Sequence, residues 1–194
     1  MPDHPIMKSV LSLIENDNSK VLHLAFGSRK AKPGDKIPKG GELAWNLAPF
    51  VVSFADQVDS LLEAQGLPTL GWNAPSEEKF LVVSLDLDAP FPSFAPLSPA
   101  LHWLQAGLAV QGASGDLTSP DPAIASWAGP GPPPISGPHR YIFLLYEQPA
   151  DFDTRMFTKT RGFGIRDRMR WDLSRFEKQA KLRPAVAATY FFSN

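Results

Sequence analysis

KFLVVSLDLDAP, residues 79–90, decides how the rest of the chain is read. Successive side chains of an extended strand point to opposite faces. Leu81, Val83, Leu85 and Leu87 therefore share one face, and Phe80, Val82, Ser84, Asp86 and Asp88 share the other. The first face is wholly apolar. The second begins apolar and turns acidic as the segment runs into Ala89 and Pro90. This pattern predicts a strongly formed strand whose acidic tip emerges at one end of a sheet.

Working outward, HRYIFLLYEQP (139–149) is apolar on both faces, as expected of a strand covered on both sides in a packed pair of sheets. VLHLAFG (21–27), LAPFVVSF (47–54), LHWLQAGLAV (101–110) and PAVAATYFFSN (184–194) also read as strands. Helical spacing predicts a short amphipathic helix over 5–15 with Asp3 as its N-cap, and a helical turn within 57–68. A further helix is expected over about 173–181. Asp172 or Ser174 can cap it, and Ser174 with Glu177 has capping-box spacing. Many strands and few helices predict a mainly β fold: a β-sandwich of two packed, largely antiparallel sheets with a few peripheral short helices. No internal repeat or linker divides residues 1–194, so one domain is expected, with 1–19 as an N-terminal helical extension that either caps the sandwich or docks a partner.

Composition narrows the function. A net charge of −1 exerts no global pull toward nucleic acid or anionic membrane. The absence of cysteine excludes disulfides, thiolate nucleophiles and cysteine-based zinc sites, and fits a reducing compartment. The N-terminal residues lack the basic start and apolar centre of a secretion signal, so a cytoplasmic protein is expected. Twenty prolines among 194 residues predict many turns and long ordered loops. The one charge run, RMFTKTRGFGIRDRMRW (155–171), has six cations and one acid. It reads either as a solvated loop or as a weak membrane-surface contact.

Two carboxylates on one strand face lie roughly 6.5–7 Å apart along it and repel unless a positive group or a shared proton intervenes. Either the strand end meets solvent or a site forms there. His102 lies within an apolar strand, and His139 opens another directly after WAGPGPPPISGP (127–138). In that loop Gly129, Gly131, Ile135, Ser136 and Gly137 retain N–H groups that can line a concave anion nest, whereas the prolines cannot donate. No phosphate-loop lysine motif, dinucleotide fingerprint, HExxH or nucleophile elbow is present.

DLDAP (86–90), LHW (101–103), GPGPPPISGPHRY (129–141), FLLYEQP (143–149) and LRPAVAATYF (182–191), in this order, resemble the phosphatidylethanolamine-binding protein family. The wording is most similar to members from filamentous fungi and to the yeast-type carboxypeptidase Y inhibitors. The resemblance implies a β-sandwich with an anion pocket at one end and a cis bond at Ala89–Pro90. It places ligand contacts at Asp86, Asp88, Pro90, His102, Gly129, Gly131, Pro132, Pro133, His139 and Tyr141. Leu87 replaces a proline usual in the family, and Ala100 stands where animal members often have an aromatic residue, which opens the pocket wall. The C-terminal helix of mammalian members, with its pocket tyrosine, has no counterpart before Asn194.

On this reading the loop N–H groups and both imidazoles donate to phosphate oxygens, the acids raise the histidine pKa values, and a phosphate-bearing or zwitterionic small ligand such as phosphoethanolamine satisfies both signs. The expected role is a ligand-binding or regulatory protein, with a protease or signalling protein as a further partner and protease inhibition as one activity. The alternative is a fungal biosynthetic enzyme that uses Asp86, Asp88, His102 and His139 for acid–base-assisted cyclisation or dehydration. No cofactor, metal or nucleic-acid partner is expected.

Overall fold

The acid-tipped segment forms β4 (Phe80–Asp86) with all seven residues buried, in a computed structural model that describes residues 3–38, 63–73, 77–112 and 114–194. The other strands are β1 (His23–Phe26), β2 (Arg29–Ala31), β3 (Thr69–Gly71), β5 (Ala100–Gln111), β6 (Asp116–Thr118), β7 (His139–Glu147) and β8 (Ala187–Ser193). They pair antiparallel in the order β2-β1-β3-β6-β5-β4-β7-β8. Helices are α1 (Pro5–Ile14), α2 (Ile165–Arg168) and α3 (Leu173–Gln179).

β5 makes the sheet two-layered. It pairs with β4 through Ala100–Leu108, and its last residues, Ala109–Gln111, pair with β6. Gly107, at the register shift near the end of the β4 pairing, turns the strand at φ +71°. That left-handed conformation is one glycine adopts freely and other residues rarely do. At the far ends, parallel bridges from Val21 to Ala188 and from Lys36 to Phe192 bring the two edges together. The expected sandwich is thus one nearly closed sheet folded onto itself.

The alternation read from 79–88 sorts the core. Phe80, Val82, Tyr141, Phe143, Leu145 and Phe191 pack between the layers against Leu22, Leu24, Phe26 and Leu70. Leu81, Val83, Leu85, Leu87, Ile142 and Leu144 face outward and are covered by Met7, Val10 and Ile14 of α1 and by Leu173 and Phe176 of α3. Burying a large apolar side chain contributes about 1.5–3 kcal/mol, so α1 is an integral cover on the outer face of the sheet, lying over β7 and β8.

Several local expectations are corrected. His4, not Asp3, caps α1: its Nδ1 accepts from the Ile6 N–H at 3.3 Å, while Asp3 pairs with Lys8 at 2.8 Å. Asp172 caps α3, and the Ser174–Glu177 box does not form because Glu177 accepts from the Tyr146 hydroxyl at 2.8 Å. The strand expected over 47–54 and most of the helical turn within 57–68 lie outside the described residues. The part that is described contains a short 3-10 turn at Glu63–Gln65. Ala89–Pro90 is cis, as the resemblance implied, and Ser98–Pro99 is cis as well.

Candidate functional site

The acidic end of β4 registers with β5 on one side and β7 on the other: Asp86 stands opposite Ala100 and opposite Tyr141. Ser84 faces Trp103 while Leu85 faces Leu101, so His102 is the extra residue of a β-bulge. A bulge re-aims a side chain out of the strict alternation. Here it turns His102 toward Asp86, with Nε2 4.0 Å from Oδ2. His139, at the start of β7, places Nδ1 2.8 Å from the same Asp86 oxygen.

Around this carboxylate the groups interlock. The His102 ring meets Tyr141 edge-on at 5.0 Å between centroids and Trp127 at 6.0 Å. Trp127 in turn stacks on Phe143 at 5.7 Å. The Tyr141 hydroxyl is buried and makes no hydrogen bond of normal geometry within the described residues; its polar neighbours are Asp86 and the Gly131 N–H. Burial, reinforced by Asp86, holds the phenol far above its ordinary pKa, so it stays a proton donor.

His102 departs from expectation. Its Nδ1 makes a short hydrogen bond to the Ala128 carbonyl, and a carbonyl can only accept, so Nδ1 carries the proton. Burial pushes its pKa below the ordinary histidine range, outweighing the opposing pull of Asp86. The imidazole is therefore neutral, and Nε2 presents a lone pair. The expectation that nearby acids make His102 cationic is overturned, because desolvation outweighs attraction at this depth.

Asp88 also departs. It does not share Asp86's surroundings. Its carboxylate accepts from Arg140 Nε at 2.8 Å, Nη2 at 2.6 Å and the Arg140 backbone N–H at 2.8 Å. Arg140 alternates with Ile142 and Leu144 on the helix-covered side of β7, so the two acids turn to opposite sides once β4 ends. The Asp88 N–H reaches back to Asp86 Oδ1 at 2.7 Å. His4, at the start of α1, senses both Asp88 and Arg140, and burial lowers its pKa.

The Gly-Pro loop closes the rim. A Cβ on Gly129 would lie 2.9 Å from the Gln65 Cα, so only glycine permits this approach, and Gln65 Nε2 donates to the Pro130 carbonyl at 2.6 Å. Pro132 is buried and Gly131 is exposed. The Pro133 carbonyl accepts from the Ser136 N–H at 2.8 Å, and the Pro90 carbonyl lies 3.1 Å from His139 Nε2. Gly137 packs beside Pro92, which brings the 91–99 loop to the same end.

Arg140, Arg168, Gln65 and the Ser136 hydroxyl escaped sequence reasoning. Arg140 follows His139 on a strand, so it had to face the other way; that was the available signal. Arg168, counted in the charge run, donates to the carbonyls of Leu101 (3.2 Å), His102 (3.1 Å) and Ser126 (2.9 Å) and so anchors the bulge. Among the described residues no group of histidines and acids is arranged to hold a metal ion, and no helix is long and apolar enough to cross a membrane.

Residues 28–192 match the family described as PBP: Phosphatidylethanolamine-binding protein. The chain belongs to the phosphatidylethanolamine-binding protein family. It is 33% identical over 182 residues to the phomoidride biosynthesis cluster protein N of Talaromyces stipitatus, covering 90% of this chain and 85% of that one. It is 26% identical over 212 residues to the carboxypeptidase Y inhibitor of Saccharomyces cerevisiae, covering 98% and 91%. A solved structure of carboxypeptidase Y inhibitor in complex with its cognate proteinase has the same fold, with a TM-score of 0.67 at 20% identity over 97% of this chain and 92% of that one. A phosphatidylethanolamine-binding protein from Plasmodium vivax superimposes with a TM-score of 0.60 at 13% identity, covering 98% and 93%.

Proposed function

We propose that the protein is a ligand-binding regulator whose pocket takes a phosphate-ester headgroup carrying its own proton or an ammonium. The observation that carries this reading is the committed proton on His102 Nδ1. With Nδ1 bound to Ala128, His102 Nε2 and the Asp86 carboxylate stand 4.0 Å apart, both as acceptors. The Tyr141 hydroxyl and the Gly131 N–H are donors at the same place. A fully ionised anion such as sulfate would meet two acceptors and be repelled. A phosphate monoester that retains a proton, or a zwitterion such as phosphoethanolamine, supplies the missing hydrogen. Pro90 and the rim residues Gly129, Pro132 and Pro133 shape the opening. Asp88 acts at one remove, by fixing Arg140 and, through its N–H, the Asp86 carboxylate.

The carboxypeptidase Y inhibitor relative supports a protease as the macromolecular partner of this regulator. The biosynthesis-cluster relative and the 2.8 Å Asp86–His139 pair favour a second reading, an acid–base enzyme acting on a small molecule in this cavity. Titration followed by NMR at the histidine rings tests the first reading. Phosphoethanolamine should shift His102 and His139 signals and displace free phosphate, whereas sulfate should leave them unmoved. Equal response to sulfate removes the proton-matching argument. Unmoved rings under phosphoethanolamine remove the pocket.

A further inference from the structure

Ser136 is the one hydroxyl in the Gly-Pro loop, and its Oγ lies 2.8 Å from His139 Nε2. The opposite ring nitrogen, Nδ1, lies 2.8 Å from Asp86 Oδ2. His139 is 1% exposed and Asp86 is 4% exposed, while Ser136 is half-buried at the rim. Hydroxyl, imidazole and buried carboxylate are thus in line, each within hydrogen-bond reach of the next. We infer that Ser136, His139 and Asp86 form a nucleophilic relay through which Ser136 Oγ accepts the acyl group of an activated carboxylic ester. The inference goes beyond ligand binding and uses the same cavity.

The chemistry follows from the atoms. At rest the groups around Nε2 are acceptors, the Pro90 carbonyl at 3.1 Å and a Ser136 Oγ that donates to Gly137, so Nε2 carries a hydrogen. The relay acts from the form in which that hydrogen is lost, Nδ1–H donates to Asp86 and the Nε2 lone pair accepts the Ser136 proton. Oγ bonds to the ester carbonyl carbon, the carbon–alkoxide bond breaks, and the leaving alcohol takes the proton back from Nε2. Water then repeats the sequence, releasing the carboxylic acid and restoring the serine. The Pro90 carbonyl, 3.1 Å from Nε2, accepts the hydrogen that Nε2 gains and so stabilises the imidazolium. The Gly137 carbonyl holds the serine proton at rest, 2.9 Å from Oγ, and a rotation of the hydroxyl moves that proton to Nε2. The N–H of Gly137, the residue after the serine, has no partner among the described residues and is available to the oxyanion. The serine's own N–H is already bound to Pro133. No strand-to-helix elbow carries this serine, which is why motif reading passed over it; a relay is defined by geometry, not by sequence position.

A fluorophosphonate ester tests the nucleophile directly: Oγ–P forms, P–F breaks and fluoride leaves. Intact mass and peptide mapping should find one adduct, on Ser136. Ser136→Ala should abolish it without altering the melting temperature. Asp86→Asn and His139→Gln should each slow labelling about ten-thousandfold, the scale seen when the acid of such a relay is replaced. Labelling absent from the wild type, sited on another residue, or unslowed in both variants while their melting temperatures are retained, overturns the relay. Phosphoethanolamine titration of the same sample separates the two readings. A titration without an adduct removes the relay and leaves the binding site; an adduct without a titration does the reverse.

Discussion

Around Asp86 the neighbours are two imidazoles and a phenol, and a loop hydroxyl lies one ring beyond. Around Asp88 they are one guanidinium and the backbone N–H beside it. Both acids are buried, and both end the same strand. Yet the Asp88 region is closed in charge and in hydrogen bonds, while in the Asp86 region His102 Nε2 and the buried Tyr141 hydroxyl make no hydrogen bond of normal geometry among the described residues. Buried polar groups are normally satisfied. On the proposed function the open region is the one a ligand enters, and the closed region holds the fold.

The sharpest way to break this division is to exchange the roles by mutation. Arg140→Met strands the buried Asp88 charge and should cost about 3–5 kcal/mol in urea-induced unfolding, the usual penalty for breaking a buried ion pair from one side. Asp86→Asn should cost far less stability but weaken phosphoethanolamine about 10–100-fold by calorimetry, as expected when a charge-assisted hydrogen bond worth about 1.5–3 kcal/mol is lost. Equal stability losses in the two variants would erase the distinction between a structural acid and a functional one.

Acid titration sharpens it next. His102 has its pKa depressed by burial, so between the ordinary histidine value of 6.5 and its lower folded value the unfolded chain binds more protons than the native one. Stability should therefore be full above that range and fall as pH drops through it, by up to about 1.4 kcal/mol per pH unit. His102→Gln should flatten the slope, leaving what His4, depressed in the same direction, contributes. A slope that His102→Gln leaves unchanged would mean the imidazole is not held neutral.

The smallest effect belongs to the basic segment. Arg155, Lys159, Arg168 and Arg170 are bound to Asp153, Asp167, four backbone carbonyls and the Pro96 carbonyl respectively. Arg161 and Arg166 have no partner among the described residues. Replacing both with alanine should change stability by less than about 0.5 kcal/mol. Binding to anionic vesicles should be weak and should vanish between low and physiological salt. A salt-independent vesicle interaction would point to apolar insertion instead.

The fold was legible where periodicity was strong. The alternation of 79–88 assigned the apolar residues of β4 to their core layers, and the apolar run of 139–147 marked a strand buried at all but its last residue. Three-residue strands such as β3 and β6 were not legible, because their pairing partners define them more than their own side chains do. At the site, Asp86, His102, His139 and Tyr141 were found by motif and do meet. The separation of Asp88 from Asp86 was not visible. It depends on the chain leaving strand geometry after residue 86, which a two-residue periodicity cannot register. The neutral state of His102 was equally hidden, since burial sets it, and the tautomer is fixed by Ala128, 26 residues away in sequence.

Arg168 clasps the bulge from a position 66 residues downstream of His102, and the two acids take their partners from 52 and 53 residues downstream. These three ties are long-range, and closing such loops is slow. A growing chain on the ribosome can lay down β4 and β5 early, but it cannot present a finished binding site until nearly all of its length has emerged.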